Sequence, residues 1–181
     1  MNKPVELIPL KCVRCGTPVP AQPNEVAWVC AQCGQGLLLD EERGLAPLEV
    51  HFATGGAARE RGDPFWVTEG QVSLQRETRG VFGGKDRDAH QFWNRPHRFL
   101  IPAYTCPLDT LIDLGTGLLR RPPELHPGVP LPFASVTLLP QDVAALVDFI
   151  VVAIEAERAD KVKSVNFSTR LSEPSLWILP T

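Results

Sequence analysis

Cys12-Val13-Arg14-Cys15-Gly16 and Cys30-Ala31-Gln32-Cys33-Gly34 are two copies of one short design, with fourteen residues between Cys15 and Cys30. Two residues between thiolates let a single turn aim both sulfurs at one point. A glycine behind the second cysteine takes φ > 0 readily and clears space for backbone amides beside the sulfur. Two such turns supply four thiolates, a donor set suited to one tetrahedral Zn²⁺ per chain; iron is the less favoured occupant. A closed Cys₄ shell leaves no position for water or substrate, so the predicted role is structural. A redox CxxC would sit in a βαβ setting, which the flanking residues do not provide. Val26-Ala27-Trp28-Val29 reads as the strand entering the second turn and Leu37-Leu38-Leu39 as the strand leaving it.

Over roughly residues 8–40 the doubled CxxCG resembles the zinc-ribbon family. The whole chain is similar to uncharacterised bacterial proteins with an amino-terminal zinc ribbon, a likeness that implies no activity. Members of the zinc-ribbon family serve as nucleic-acid readers, protein-docking modules or staples. About forty residues bury too little surface to fold alone, so the metal is expected to supply the folding energy of residues 1–45. Serine at Cys12, Cys15, Cys30 or Cys33 is then expected to release the metal and unfold this unit, with the remainder surviving. Through residue 45 there are four basic and five acidic side chains. Four thiolates on Zn²⁺ add further negative charge. Docking or stapling therefore fits the ribbon better than DNA reading.

Working outward, the 181-residue chain is long enough for a sizeable core, and its 44% hydrophobic content is that of a globular protein. Its net charge of −3 gives it no global positive field of the kind a general nucleic-acid binder carries. Eighteen prolines argue against an all-helical bundle. Met1-Asn2-Lys3-Pro4-Val5-Glu6 lacks the charged-then-apolar pattern of a signal peptide. The longest apolar run, Val143 to Ile154, is interrupted by Asp148 and falls short of the ~20 residues of a membrane span. Paired cysteines in such a chain indicate metal binding over disulfides. Together these features predict a soluble cytoplasmic protein without membrane insertion.

Asp40-Glu41-Glu42-Arg43-Gly44 reads as a boundary, dividing the chain into a ribbon, 1–45, and a larger domain, 46–181. In the latter, Leu48–Phe52, Phe65–Arg76, Arg98–Tyr104, Phe133–Leu139, Val165–Ser168 and Leu176–Leu179 read as strands. Pro102 places the third of these at an edge or bulge. Two helices are predicted, one from Pro107 to Arg121 and one opened by Pro140-Gln141-Asp142 with apolar positions at 143, 146, 147, 150, 151 and 154. The fold class is α+β: a small amino-terminal Cys₄ ribbon, then a mainly antiparallel sheet packed with two helices and covered on one face. Pro64-Phe65-Trp66, Pro102-Ala103-Tyr104 and Pro132-Phe133 rhyme weakly, and edge-strand prolines with inward aromatics account for them.

Residues 83–99 read as a long loop that interleaves aromatics with cations. Phe92, Trp93, Arg95, His97 and Arg98 are its candidate partner-binding residues, since Trp and Arg are enriched at protein hot spots. The same mixture could stack bases, but residues 54–98 carry only eight basic against six acidic side chains. His51, His90, His97 and His126 form no tight ligand pair. Cys106 beside Pro107 is a candidate nucleophile at a helix start, or a small packed residue. Asp109 and Asp113 share a solvated helix face, and Gly115-Thr116-Gly117 lacks the residues of a phosphate loop. The reading is a non-enzymatic zinc-ribbon adaptor or accessory protein that binds another protein. The alternatives are a nucleic-acid-binding accessory protein, or an enzyme with a site near Cys106 or the histidines.

Overall fold

The computed structural model describes residues 9–40, 42–54, 61–78, 84–158 and 162–180. The first sheet is an antiparallel meander of β1 (Ala27–Val29), β2 (Gly36–Asp40) and β3 (Gly44–Leu48). The Asp40 carboxylate accepts the Glu42 and Arg43 amides at 3.0 and 2.7 Å, and this side chain fixes the β2–β3 turn. The second sheet holds β4 (Val50–Phe52), β5 (Gly62–Thr78), β6 (His97–Pro102), β7 (Val162–Leu171) and β8 (Ser175–Pro180). Its order is β4-β8-β5-β6, with β7 also paired to β5, and every pairing except β4–β8 is antiparallel. The chain is therefore α+β, as the sequence predicts.

β5 organises this sheet. Gly70 pairs with both His97 of β6 and Leu171 of β7, so those strands lie on opposite sides of it. Alternation along β5 sends Trp66, Val72 and Leu74 into the main core with Phe99, Ile101, Leu176 and Ile178. That face is covered by α2 (Leu108–Arg120) and α3 (Val143–Ala156), the latter entered through a 3₁₀ turn at Pro140–Asp142. Gly115 on α2 permits their close approach, because a Cβ there would lie 2.3 Å from Ile150 Cδ1. Two polar groups on this buried face are satisfied: Trp66 Nε1 donates to Leu138 O at 2.8 Å and Thr68 Oγ1 to Ser172 O at 2.7 Å.

Several expectations are corrected. The sheet is covered on both faces: Phe65, Val67 and Leu100 are buried on the second, packed with Leu118, Leu125 and Trp177. Segment 121–139 does part of this covering and is not a strand over 133–139. Its backbone bonds go to different neighbours in turn, Ala134 N to Gly62 O, Val26 N to Val136 O and Thr137 N to Ala103 O, so no continuous ladder forms. Of the segment read as a loop, residue 83 lies outside the described residues and 84–99 are not a loop, because a third helix, α1, spans Gly84–Trp93 and β6 follows after three residues. The run Leu48–Phe52 is split at Glu49 between β3 and β4. Pro102 does end β6, and β6 is an edge strand of this sheet, as β4 is at the other end.

The first sheet shares buried residues with the second. The 45/46 boundary falls inside β3. Val26 and Ala27 belong to the same buried cluster as Trp66 and Val136, with Leu38, Leu39 and Leu48 packed against it.

Candidate metal centre

Both cysteine turns have the same backbone. The Gly16 amide donates to Cys12 O at 2.9 Å and the Gly34 amide to Cys30 O at 2.8 Å. The Cys12 amide donates to Thr17 O, and the Cys30 amide to Gln35 O, at 2.9 and 2.8 Å. Closing the turn this way requires left-handed backbone at the glycines, which stand at φ +73° and +72°. A Cβ on either would meet nothing within 4 Å, so the cost of a side chain there is conformational alone. Gly34→Ala is expected to destabilise the protein by about 1–2 kcal/mol, measured by denaturant unfolding. An unchanged midpoint would refute this account of the turn.

The turns bring all four sulfurs within 4.8 Å of one another, with Cys12–Cys33 and Cys15–Cys30 each at 3.6 Å. A disulfide needs ~2.05 Å. Four thiolates ~2.3 Å from a central ion stand ~3.8 Å apart, so this separation suits a shared tetrahedral metal. Cys12 and Cys30 are buried, Cys33 is half-buried and Cys15 is exposed. The sulfurs compete for charge. Hydrogen bonds from the Thr17 side chain and amide favour the Cys15 thiolate and lower its pKa to about 6. The Gln35 amide favours the Cys33 thiolate, but desolvation and the three neighbouring sulfurs outweigh it and push Cys33 up to about 12. A cation at the centre would remove that mutual repulsion. Among the described residues, no other group of three or more His, Cys, Asp or Glu has this geometry.

Thr17 escapes the motif reading although it follows CxxCG directly; its Oγ1 lies 3.2 Å from the Cys15 sulfur. Glu25 escapes it too. Its Oε2 accepts the Gln22 amide at 2.8 Å and Trp28 Nε1 at 2.9 Å, and its Oε1 accepts Ser135 Oγ at 2.6 Å. Partial burial raises its pKa, but the bonds from Ser135, Gln22 and Trp28 outweigh this and hold it below the usual 4.5. Folding therefore gains from the ionised carboxylate above the unfolded value and loses that gain as pH falls through the lower folded one. Glu25→Ala is expected to cost about 1–2 kcal/mol at neutral pH. Its difference from wild type, read from urea midpoints, should shrink as pH falls below the usual 4.5.

The other singled-out residues do not converge. Trp93 and His97 are buried: Trp93 Nε1 donates to Glu155 Oε1 at 2.8 Å, and His97 Nε2 donates to Phe92 O at 2.8 Å. Desolvation lowers the His97 pKa, assisted by Arg95 and opposed by the Phe92 carbonyl. Phe92 is half-buried, stacked on His97 and lying under Arg158. Arg95 is exposed, and Arg98 pairs with Glu69 at 3.1 Å. His51 stacks on Trp177, His126 lies 3.1 Å from Glu124, and His90 is exposed on α1. Burial pushes the Cys106 thiol up, the opposite of what an activated nucleophile needs.

Compared with protein-family models, curated proteins and solved structures, the chain matches none. The four-cysteine cluster is consistent with a zinc-ribbon-like site that could bind a metal ion. No helix among the described residues is long and apolar enough to cross a membrane.

Proposed function

We propose that Cys12, Cys15, Cys30 and Cys33 bind one structural Zn²⁺ and that the chain is a non-enzymatic cytoplasmic adaptor for another protein. The observation that carries this reading is the sulfur cluster. Four thiolates form a closed shell, which holds a fold and leaves no coordination site for a reaction. In this reading residues 1–45 carry the metal and 46–181 carry the recognition surface.

The surface proposed for the partner lies beside α1. β6 stops pairing with β5 at Gly70, and β7 takes the opposite side of β5 beyond it. Among the described residues no strand pairs the remaining edge, which faces a groove of about 630 Å³ lined by Gln71, Ser73, Arg87, His90, Gln91 and Asn94. An extended segment of a partner can add to such an edge through main-chain bonds. Trp93 also lines this groove, and Phe92, Arg95, His97 and Arg98 are its neighbours along the chain.

The test is metal analysis of the purified chain followed by native capture with and without nuclease. One zinc per chain and a stoichiometric, nuclease-resistant protein lost on Arg87→Glu/Arg95→Glu substitution are expected. Iron in place of zinc would overturn the metal assignment. Nucleic acid as the retained species, with binding falling steeply with salt, would overturn the adaptor reading.

A further inference from the structure

The two cysteine turns share one backbone, yet their sulfurs do not share one environment. Cys12 and Cys30 are buried and Cys33 is half-buried, whereas Cys15 is exposed, so solvent and competing chelators reach the cluster through Cys15 first. Each turn offers its second cysteine a backbone amide from two residues on, Thr17 to Cys15 and Gln35 to Cys33. The side chains of those two residues then diverge. Thr17 Oγ1 stands 3.2 Å from the Cys15 sulfur, while Gln35 Nε2 turns away and donates to Gly36 O at 2.9 Å. The exposed sulfur is the one that receives a hydroxyl.

The local sequence holds that hydroxyl in place. Thr17 precedes Pro18, and a residue ahead of a proline is confined to extended backbone. Pro18 forms a β-bridge with Lys11, and the Val19 amide donates to Leu10 O at 3.0 Å, which closes the hairpin around the turn. The Thr17 carbonyl accepts the Cys12 amide at 2.9 Å, so the residue is anchored on its backbone before its side chain acts. A β-branched side chain on a fixed backbone has few rotamers left, and aiming the hydroxyl costs little further entropy. A thiolate carries no proton, so against a ligating sulfur the hydroxyl is the donor. Such a bond draws off part of the thiolate charge and fixes the direction of the ligand. We propose that Thr17 is a positioning residue for the metal, its hydroxyl holding the exposed Cys15 thiolate on the ion and slowing loss of the ion through that ligand. This inference rests on the proposed Cys₄ zinc site, and it makes the two turns unequal in how firmly they hold it.

Zinc affinity of the full chain by chelator competition, together with the visible spectrum of the chain loaded with Co²⁺, tests it. Thr17→Val keeps the shape and both backbone bonds and removes only the hydroxyl, and zinc affinity should fall by about tenfold or more. Thr17→Ser restores the donor and should bring the affinity back towards wild type. In the Co²⁺ protein the thiolate-to-cobalt charge-transfer band should move to longer wavelength in Thr17→Val and stay in place in Thr17→Ser, because a sulfur relieved of a hydrogen bond releases electron density more easily. A threonine that merely packs would leave that band unmoved, so a loss of affinity without a band shift would overturn the proposal. So would a Thr17→Val protein with wild-type affinity, or a Thr17→Ser protein as weak as the valine variant. A wild type that takes up neither ion would overturn the Cys₄ site itself, an outcome distinct from those three.

Discussion

Cys12→Ser protein is expected to hold less than about a tenth of an equivalent of zinc and to unfold with a midpoint about 8–16 °C below wild type. The loss corresponds to about 4 kcal/mol, the range reached when a metal site is removed. It should be felt across the chain. Val26 and Ala27 are buried with Trp66 and Val136, and the Val26 amide donates to Val136 O at 2.9 Å. Leu38, Leu39 and Leu48 pack against the same cluster. A ribbon released from its metal would withdraw these groups and open one end of the larger core, where Trp66 also donates to Leu138 O. Near-ultraviolet circular dichroism and hydrogen exchange across β5 are the measurements. A main transition at the wild-type temperature, preceded by a separate ribbon transition, would show that residues 46–181 stand alone, as sequence reasoning expected.

What could be read ahead of the structure follows from where the physics is local. The cysteine turns were legible because a cluster of four sulfurs fixes residue type and spacing together within five residues, and the shared backbone of Cys12–Gly16 and Cys30–Gly34 follows from that. α3 was legible because its core face, Val143 through Ile154, keeps helical period for three turns. α1 was not. Among the described side chains of 87–93 it buries only Ala89 and Trp93 deeply, two residues four apart within a polar segment, and such a pattern does not stand out from a loop. The strand read at 133–139 failed for a different reason. Its alternating residues pack correctly, with Val136 fully buried, but its hydrogen bonds are divided among Gly62, Val26 and Ala103, which are distant in sequence. Local pattern reports which side chains face inward; it does not report which backbone answers them. The joining of ribbon and core was hidden likewise, since nothing near Val26 indicates that Val136 will complete its bonding.

Trp93→Ala is expected to cost about 3–5 kcal/mol, which makes it the most damaging single substitution in the segment first read as a binding loop. The indole is 1% exposed and lies in the main core with Ala89 and Phe99. Its Nε1 donates at 2.8 Å to Glu155, a carboxylate 3% exposed that also takes Arg158 Nε at 2.7 Å. Alanine would leave a cavity and remove a donor from a buried charge, and both effects act in the same direction. Trp93→Phe separates them. It keeps most of the volume and should cost about 1–3 kcal/mol through the lost bond. Arg95→Ala, two residues on and exposed, should move stability by no more than about 0.5 kcal/mol. Urea unfolding of the three proteins reads all of these values. A Trp93→Ala protein as stable as wild type would place the indole at the surface and return Trp93 to the candidates for direct partner contact. The expected order, alanine worst and Arg95→Ala silent, would make Trp93 the residue that holds α1 against the core and so positions the exposed side chains that any partner at this groove would meet.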